Sequence, residues 1–158
     1  MKMTRKAWVG TACLALFCLW WGVPTYNQWQ ADKLVDELCA KDGGVKVYET
    51  VTLPKERFNQ WGQFHVLEKR AMKPGDEYYT VWKTEDIMGK HNSSELWKLT
   101  VYRHHFLMYR TADIKILGES IGYTRRGGDP IGPWMPSAYA CPKDIDNELS
   151  KQIFFKSE

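Results

Sequence analysis

The chain has 158 residues, of which 26% are charged, with 22 Lys+Arg against 19 Asp+Glu and a formal net charge of +3. Three of the bases, Lys2, Arg5 and Lys6, precede the first acid, Asp32, so everything beyond them is balanced at 19 bases against 19 acids. The excess charge is a local signal rather than a binding face, and nucleic acid, which needs a clustered positive footprint, is excluded as an expected partner.

Residues 7–23, AWVGTACLALFCLWWGV, carry no charge over 17 positions. A helix of that length rises roughly 25 Å, the short end of what spans a bilayer. Basic residues stand before it, Trp20 and Trp21 close it, and Tyr26 and Trp29 lie just beyond. That order marks a cytoplasmic start and an outer interface. The expected organisation is a basic tail over 1–6, a transmembrane signal-anchor helix over 7–23 and an extracytoplasmic domain over 27–158. The alternative is a secreted protein released by signal-peptide cleavage. It fits less well, because Val23 and Thr25 make a poor small-x-small site beside two bulky indoles. A lipid anchor needs a cysteine at the end of the apolar run, and Cys13 comes too early while Cys18 follows Phe17.

Pro24 is expected to end the spanning helix and Asn27 to cap a second one over 27–42. Ala31, Leu34, Val35, Leu38 and Cys39 share its apolar stripe, and Gly43-Gly44 supplies a left-handed stop. An alternating, β-branched run over 45–53 reads as a strand broken by Pro54. A helical turn over 55–61, a short strand over 63–67 and turn chemistry at Lys73-Pro74-Gly75-Asp76 follow. Residues 78–83 read as a strand and 85–94 as a loop, in which Asn92-Ser93-Ser94 matches a glycosylation sequon. The longest patterned stretches, 96–110 and 114–126, form an expected hairpin about Thr111-Ala112-Asp113. Setting Arg110 opposite Ile114 places Leu107 against Leu117, Val101 against Tyr123 and Met108 against Ile116. It also lays Phe106 over Gly118 and Tyr102 over Gly122, a packing that rescues glycine in strands. Residues 127–136, GGDPIGPWMP, are a Gly/Pro loop whose Ile131, Trp134 and Met135 are expected to fold back onto the domain. A short helix over 144–151 and an edge strand over 153–155 end the chain. The fold class is therefore α+β: an N-terminal transmembrane helix, then an amphipathic helix packed on a mainly antiparallel sheet.

Four cysteines divide into two inside the apolar run, Cys13 and Cys18, and two near the ends of the outer domain, Cys39 and Cys141. In an oxidising compartment the outer two are expected to pair, with two buried free thiols as the alternative. No C-x-x-C or other metal spacing occurs, His65 and His91 are isolated, and no metal or other cofactor is expected.

Two polar pairings carry potential chemistry. The assumed hairpin register sets His105 against Glu119 on one face and His104 against Ser120 on the other. A His–carboxylate pair orients a general base and a Ser–His pair makes a nucleophile, but on opposite faces they do not add up to a triad. Ser120 also lacks the G-x-S-x-G elbow. The third candidate is Arg125-Arg126-Gly127-Gly128, where guanidinium forks beside flexible backbone N–H groups suit an anion.

Two stretches, Cys39-Ala40-Lys41-Asp42-Gly43-Gly44-Val45-Lys46-Val47-Tyr48-Glu49-Thr50 and Tyr123-Thr124-Arg125-Arg126-Gly127-Gly128-Asp129, resemble small envelope proteins of Gram-negative bacteria that carry no assigned activity. The resemblance implies a compartment and no mechanism. The expected function is that of a single-pass inner-membrane protein whose periplasmic domain binds or supports another envelope component, with the membrane and an envelope protein as partners. No catalysis is evident in the sequence. The alternatives are an envelope hydrolase acting on peptidoglycan or glycans, and an anion or lipid-headgroup binder using Arg125 and Arg126.

Overall fold

The computed structural model describes residues 5–90, 95, 97–130, 132–143 and 145–157. Lys2, His91, the sequon at 92–94, Ile131 and Asp144 lie outside them.

The chain begins with one helix, α1, spanning Arg5–Asp42 over 38 residues with Pro24 inside it. The expected break at Pro24 and the separate helix from Asn27 do not occur. Proline removes the N–H that would bond the Trp20 carbonyl. On the adjoining turn Thr25 Oγ1 donates to the Trp21 carbonyl at 2.8 Å, and the helix runs on. The second half of α1 buries Ala31 and Val35 on the sheet, with Leu38 and Cys39 beside them. This is the stripe that the sequence periodicity marks. In the first half, Trp8, Leu14, Leu16, Phe17, Leu19 and Val23 are each more than half exposed. Among the described residues no helix is long and apolar enough to cross a membrane.

The main sheet is antiparallel, in the order β1-β5-β4-β3. Its strands are β1 (Gly44–Val47), β3 (Tyr78–Met88), β4 (Thr100–Arg110), β5 (Lys115–Arg126) and β6 (Ala138–Cys141). β1 pairs with 118–121 of β5, and β6 with 123–126 along the same edge. β2 (Val51–Leu53) and β7 (Phe154–Lys156) form a separate parallel pair. The single strand expected over 45–53 is thus two strands in two sheets. The N–H groups of Tyr48 and Glu49 both bond the Leu117 carbonyl, and the chain turns off the sheet there. Of the helical turn expected over 55–61, only Lys55–Arg57 is 3₁₀. No strand forms over 63–67, an isolated bridge at Glu68–Thr80 lying just after it, and the first residues of the loop expected over 85–94 are the continuation of β3 to Met88.

The β4–β5 register differs from the expected one by two residues. Thr100 pairs with Arg126 and His104 with Gly122, up to Met108 with Gly118; a bulge then shifts the last pairs to Tyr109–Ile116 and Arg110–Lys115. The turn holds four residues rather than three because Ile114 adopts φ 55°. A shift of two preserves the faces but not the partners. Phe106 lies opposite Ser120 and Tyr102 opposite Thr124, so the expected aromatic-over-glycine contacts are absent. Gly118 serves α2 (Ile145–Ile153) instead: a Cβ there would stand 2.9 Å from Ile153 Cδ1 and 2.9 Å from the Lys46 carbonyl.

Two cores result, one on each face. α1 covers Val101, Ile121 and Tyr123 on one face. On the other, Leu149 and Ile153 of α2 and Phe154 of β7 pack with Leu53, Met108 and Leu117. Cys39 of α1 is bonded to Cys141 of β6, with the Cα atoms 6.0 Å apart. Their sequence separation is 102. A loop of that size is worth about 4–5 kcal/mol in the chain-entropy account. Cys39→Ser is therefore expected to lower the unfolding free energy by a few kcal/mol under oxidising conditions, with little further loss on adding Cys141→Ser. Denaturant titration of the three variants checks this; two additive losses would show that the thiols act separately.

Candidate functional site

Three places on the domain carry chemistry. The first is the face of the sheet that α1 leaves uncovered beyond its C-terminus. There Lys46 of β1, Glu119 of β5 and His105 of β4 come together with Tyr48. His105 Nε2 lies 2.7 Å from Glu119 Oε2, the Tyr48 hydroxyl donates to Glu119 Oε1 at 2.5 Å, and Lys46 Nζ stands 3.8 Å from the same carboxylate. The sequence pairing of His105 with Glu119 is thus met by the side chains, though along a diagonal, since the backbone partner of His105 is Ile121. The Tyr48 hydrogen bond, with His105 contributing, holds the Glu119 carboxyl below the usual carboxylate range. The same bond raises the Tyr48 phenol. Tyr48 was not foreseeable as a member, because it follows the strand and reaches back across a bulge. Alongside, Arg103 lies 3.2 Å from Glu85 and 3.7 Å from Asp42, and Asp42 accepts the Tyr123 hydroxyl at 2.8 Å. These carboxylates consume the basic groups around them. What remains chemically available is an imidazole oriented by a carboxylate on a half-exposed sheet face.

His104 and Ser120 lie on the opposite face, separated from the first pair by the sheet. The His104 ring packs edge-on against Trp82 and Tyr102, with centroids 5.0 and 4.8 Å apart. Ser120 is fully buried. The two histidines therefore belong to different surroundings.

The second place is a cavity of about 390 Å³ on that opposite face. The segment 58–68 crosses β3 and β4 there and meets α2. Phe58, Phe64, Val66, Trp82, Phe106, Met108 and Phe154 supply its apolar wall, and Gln63, His65, Ser150 and Lys151 its polar groups. The wall is braced by aromatic edges: the rings of Phe64 and Phe154 lie 4.7 Å apart, and those of Tyr78 and Phe154 5.0 Å. Ser150 Oγ donates to the Phe64 carbonyl and ties the segment to α2. A concave, mainly aromatic wall with a few polar groups is the usual form of a small-molecule site. Its lining comes from four separate stretches, and no local sequence motif could announce it.

The third place is the arginine-glycine run, and here the expected anion site does not form. Arg125 is 5% exposed. Its Nε and Nη2 donate to Asp32 of α1 at 2.8 and 3.4 Å, and its Nη1 to the Gly127 carbonyl, the Ser137 carbonyl and Ser137 Oγ. The Gly127 N–H bonds the Ser137 carbonyl and the Gly128 N–H the Trp97 carbonyl. The guanidinium and both glycine amides are thus committed within the fold, which leaves Arg126 alone as a half-buried cation. Among the described residues no group of three or more His, Cys, Asp or Glu is placed to hold a metal ion.

No protein-family model, no curated protein and no solved structure matches this chain.

Two outcomes follow. Asp32→Ala strands a buried guanidinium and is expected to cost about 2–3 kcal/mol, the lower end for such pairs because the carboxylate is partly exposed. The double variant Asp32→Leu/Arg125→Met is expected to recover part of that loss, which equilibrium unfolding of both variants measures. The second outcome is a pH dependence. A carboxyl depressed on folding adds stability that is present above its unfolded pKa of about 4.3 and lost as pH falls through the folded value. The stability advantage of the wild type over Glu119→Gln is therefore expected to shrink between about pH 6 and pH 3. Denaturant midpoints at the two values test it, and a constant difference would remove Glu119 from the acid limb.

Proposed function

We propose that the chain is a membrane-anchored extracytoplasmic binding protein of a bacterial envelope. The observation that carries this reading is the projecting half of α1. Its large apolar side chains Trp8, Leu14, Leu16, Phe17, Leu19 and Val23 are exposed, whereas Ala31 and Val35 of the second half are buried on the sheet. In water such a segment exposes far more contiguous apolar surface than a monomer tolerates. The bases at Lys2, Arg5 and Lys6 and the tryptophans at the other end favour an N-in, C-out orientation. The Cys39–Cys141 bond fits an oxidising compartment on the far side.

The binding function rests on the aromatic cavity. Thr80 and Met108, at its base, lie toward the β4–β5 turn, whereas α1 leaves the sheet at the other end of β5. The cavity is thus set away from the anchor and takes its ligand from the aqueous side. Its volume suits a small, mostly apolar molecule with one polar or anionic end, met by Lys151 or His65.

The anchoring is tested by fractionation. The full chain is expected to stay with membranes after alkaline carbonate washing and to activate a C-terminal reporter only outside the cytoplasm. A soluble, shortened mature protein would sink the anchor. The cavity is tested by thermal unfolding of the detergent-solubilised chain with millimolar indole, which is expected to raise the midpoint of the wild type. Val66→Trp, which fills the cavity, is expected to abolish the increase. An equal increase in both proteins would place the binding elsewhere.

The His105–Glu119 contact favours a second reading, an envelope hydrolase in which the imidazole acts as general base. Loss of glycan- or peptide-cleaving activity in His105→Gln, with folding intact, is the result it requires.

A further inference from the structure

The Gly/Pro loop of residues 127–136 has a use that the anchor alone does not give it. Trp134 does not fold into either core. It packs against α1, with its ring centroid 6.5 Å from that of Trp20 and 6.0 Å from that of Trp21. Trp20 and Trp21 are the last aromatic residues of the uncharged run, so Trp134 stands at their level along the helix axis. Met135 beside it is 80% exposed.

Three features fit this arrangement to lipid rather than water. No charged residue occurs between Asp129 and Lys143. The Trp134 indole N–H already donates to the Pro130 carbonyl at 3.0 Å, so withdrawing the ring from water strands no donor. The neck of the loop is closed, since the Ser137 N–H bonds Asp129 Oδ2 at 2.7 Å and the Gly127 N–H bonds the Ser137 carbonyl. Pro130, Pro133 and Pro136 stiffen the span between, which lowers the entropy lost when it is held at a surface. Three indoles and a methionine thus form one apolar collar where the helix meets the domain, continuous with the proposed anchor. Indole rings prefer the headgroup level of a bilayer.

We propose that Trp134 and Met135 enter the headgroup region of the same phospholipid bilayer that holds α1, giving the domain a second membrane contact and a fixed orientation. This rests on the anchor reading. The two contacts are separable by experiment. In the full chain, Cys13→Ser and Cys18→Ser remove the free thiols, and the bonded Cys39 and Cys141 do not react with alkylating dyes. An environment-sensitive NBD dye is then placed through Met135→Cys, Leu19→Cys or Ile114→Cys in phosphatidylcholine–phosphatidylglycerol vesicles containing shallow spin-labelled lipid. The expected result is blue-shifted emission, quenched at least twofold, for the dye at positions 135 and 19, and water-like, unquenched emission at position 114 on the distal turn. Water-like emission at 135 with a blue shift at 19 would overturn the loop contact and leave the anchor standing. Water-like emission at both would overturn the anchor and the loop contact together.

Discussion

A guanidinium buried between α1 and β5 sets the arrangement of everything around it. Arg125 donates to the Asp32 carboxylate on α1, 93 residues earlier, and to Gly127 and Ser137 at the two ends of the loop that follows its own strand. A charge withdrawn from water is costly unless its hydrogen bonds are filled, so the helix, the strand end and the loop neck are coupled through this one side chain. Gln28, one turn before Asp32, reinforces the joint by donating to Ser137 Oγ at 3.1 Å. The apolar contacts of Ala31 and Val35 supply area without direction; the Arg125 pair fixes how far the helix slides along the sheet. The disulfide then fastens the next two turns of α1 to β6.

The sheet between the two cores separates two kinds of chemistry. On the α1 face, the helix ends at Asp42 and leaves Arg103, His105 and Glu119 under partial cover, where charges stay solvated and pair with one another. On the other face, the long connection from β2 to β3 folds over the strands and sets Phe58 and Phe64 against Trp82, Phe106 and Phe154, so its wall is mainly aromatic. The proposed ligand cavity needs the second environment. An imidazole base needs the first, with substrate lying against an open sheet.

The hydrophobic alternation was enough to read the strands of the hairpin and their faces, because parity depends only on which residues are apolar. The partners were not legible. They depend on a turn in which Ile114, a β-branched residue, takes a left-handed conformation, and on a bulge at Leu117; neither has a sequence signal. β6 escaped notice because it is four residues long and lies between Pro136 and Pro142. Arg125 read as an exposed anion ligand because arginine beside two glycines is ordinarily solvated, and the carboxylate that claims it stands 93 residues earlier. The Cys39–Cys141 pairing was legible because both residues carry independent placement: one on the buried stripe of a helix, the other just after the loop that closes the domain.

The continuity of α1 through Pro24 changes what the apolar run can do. Had the helix broken there, domain and anchor would be joined by a hinge. Because α1 is continuous instead, the face that meets the domain extends upward without interruption: Cys39, Val35, Asp32 and Gln28 recur at helical spacing, and Trp21 lies seven residues above Gln28 on the same side. Trp134 meets that side at the first position beyond the sheet where a large side chain is on offer. The loop therefore docks where it does because the contact stripe passes the proline. A domain held to a rigid helix by an ion pair, a disulfide and an indole contact has one orientation relative to the helix axis. On the proposed anchoring, the bilayer then meets a fixed surface rather than a domain on a swivel, and the placement of the cavity away from the collar becomes a property of the fold.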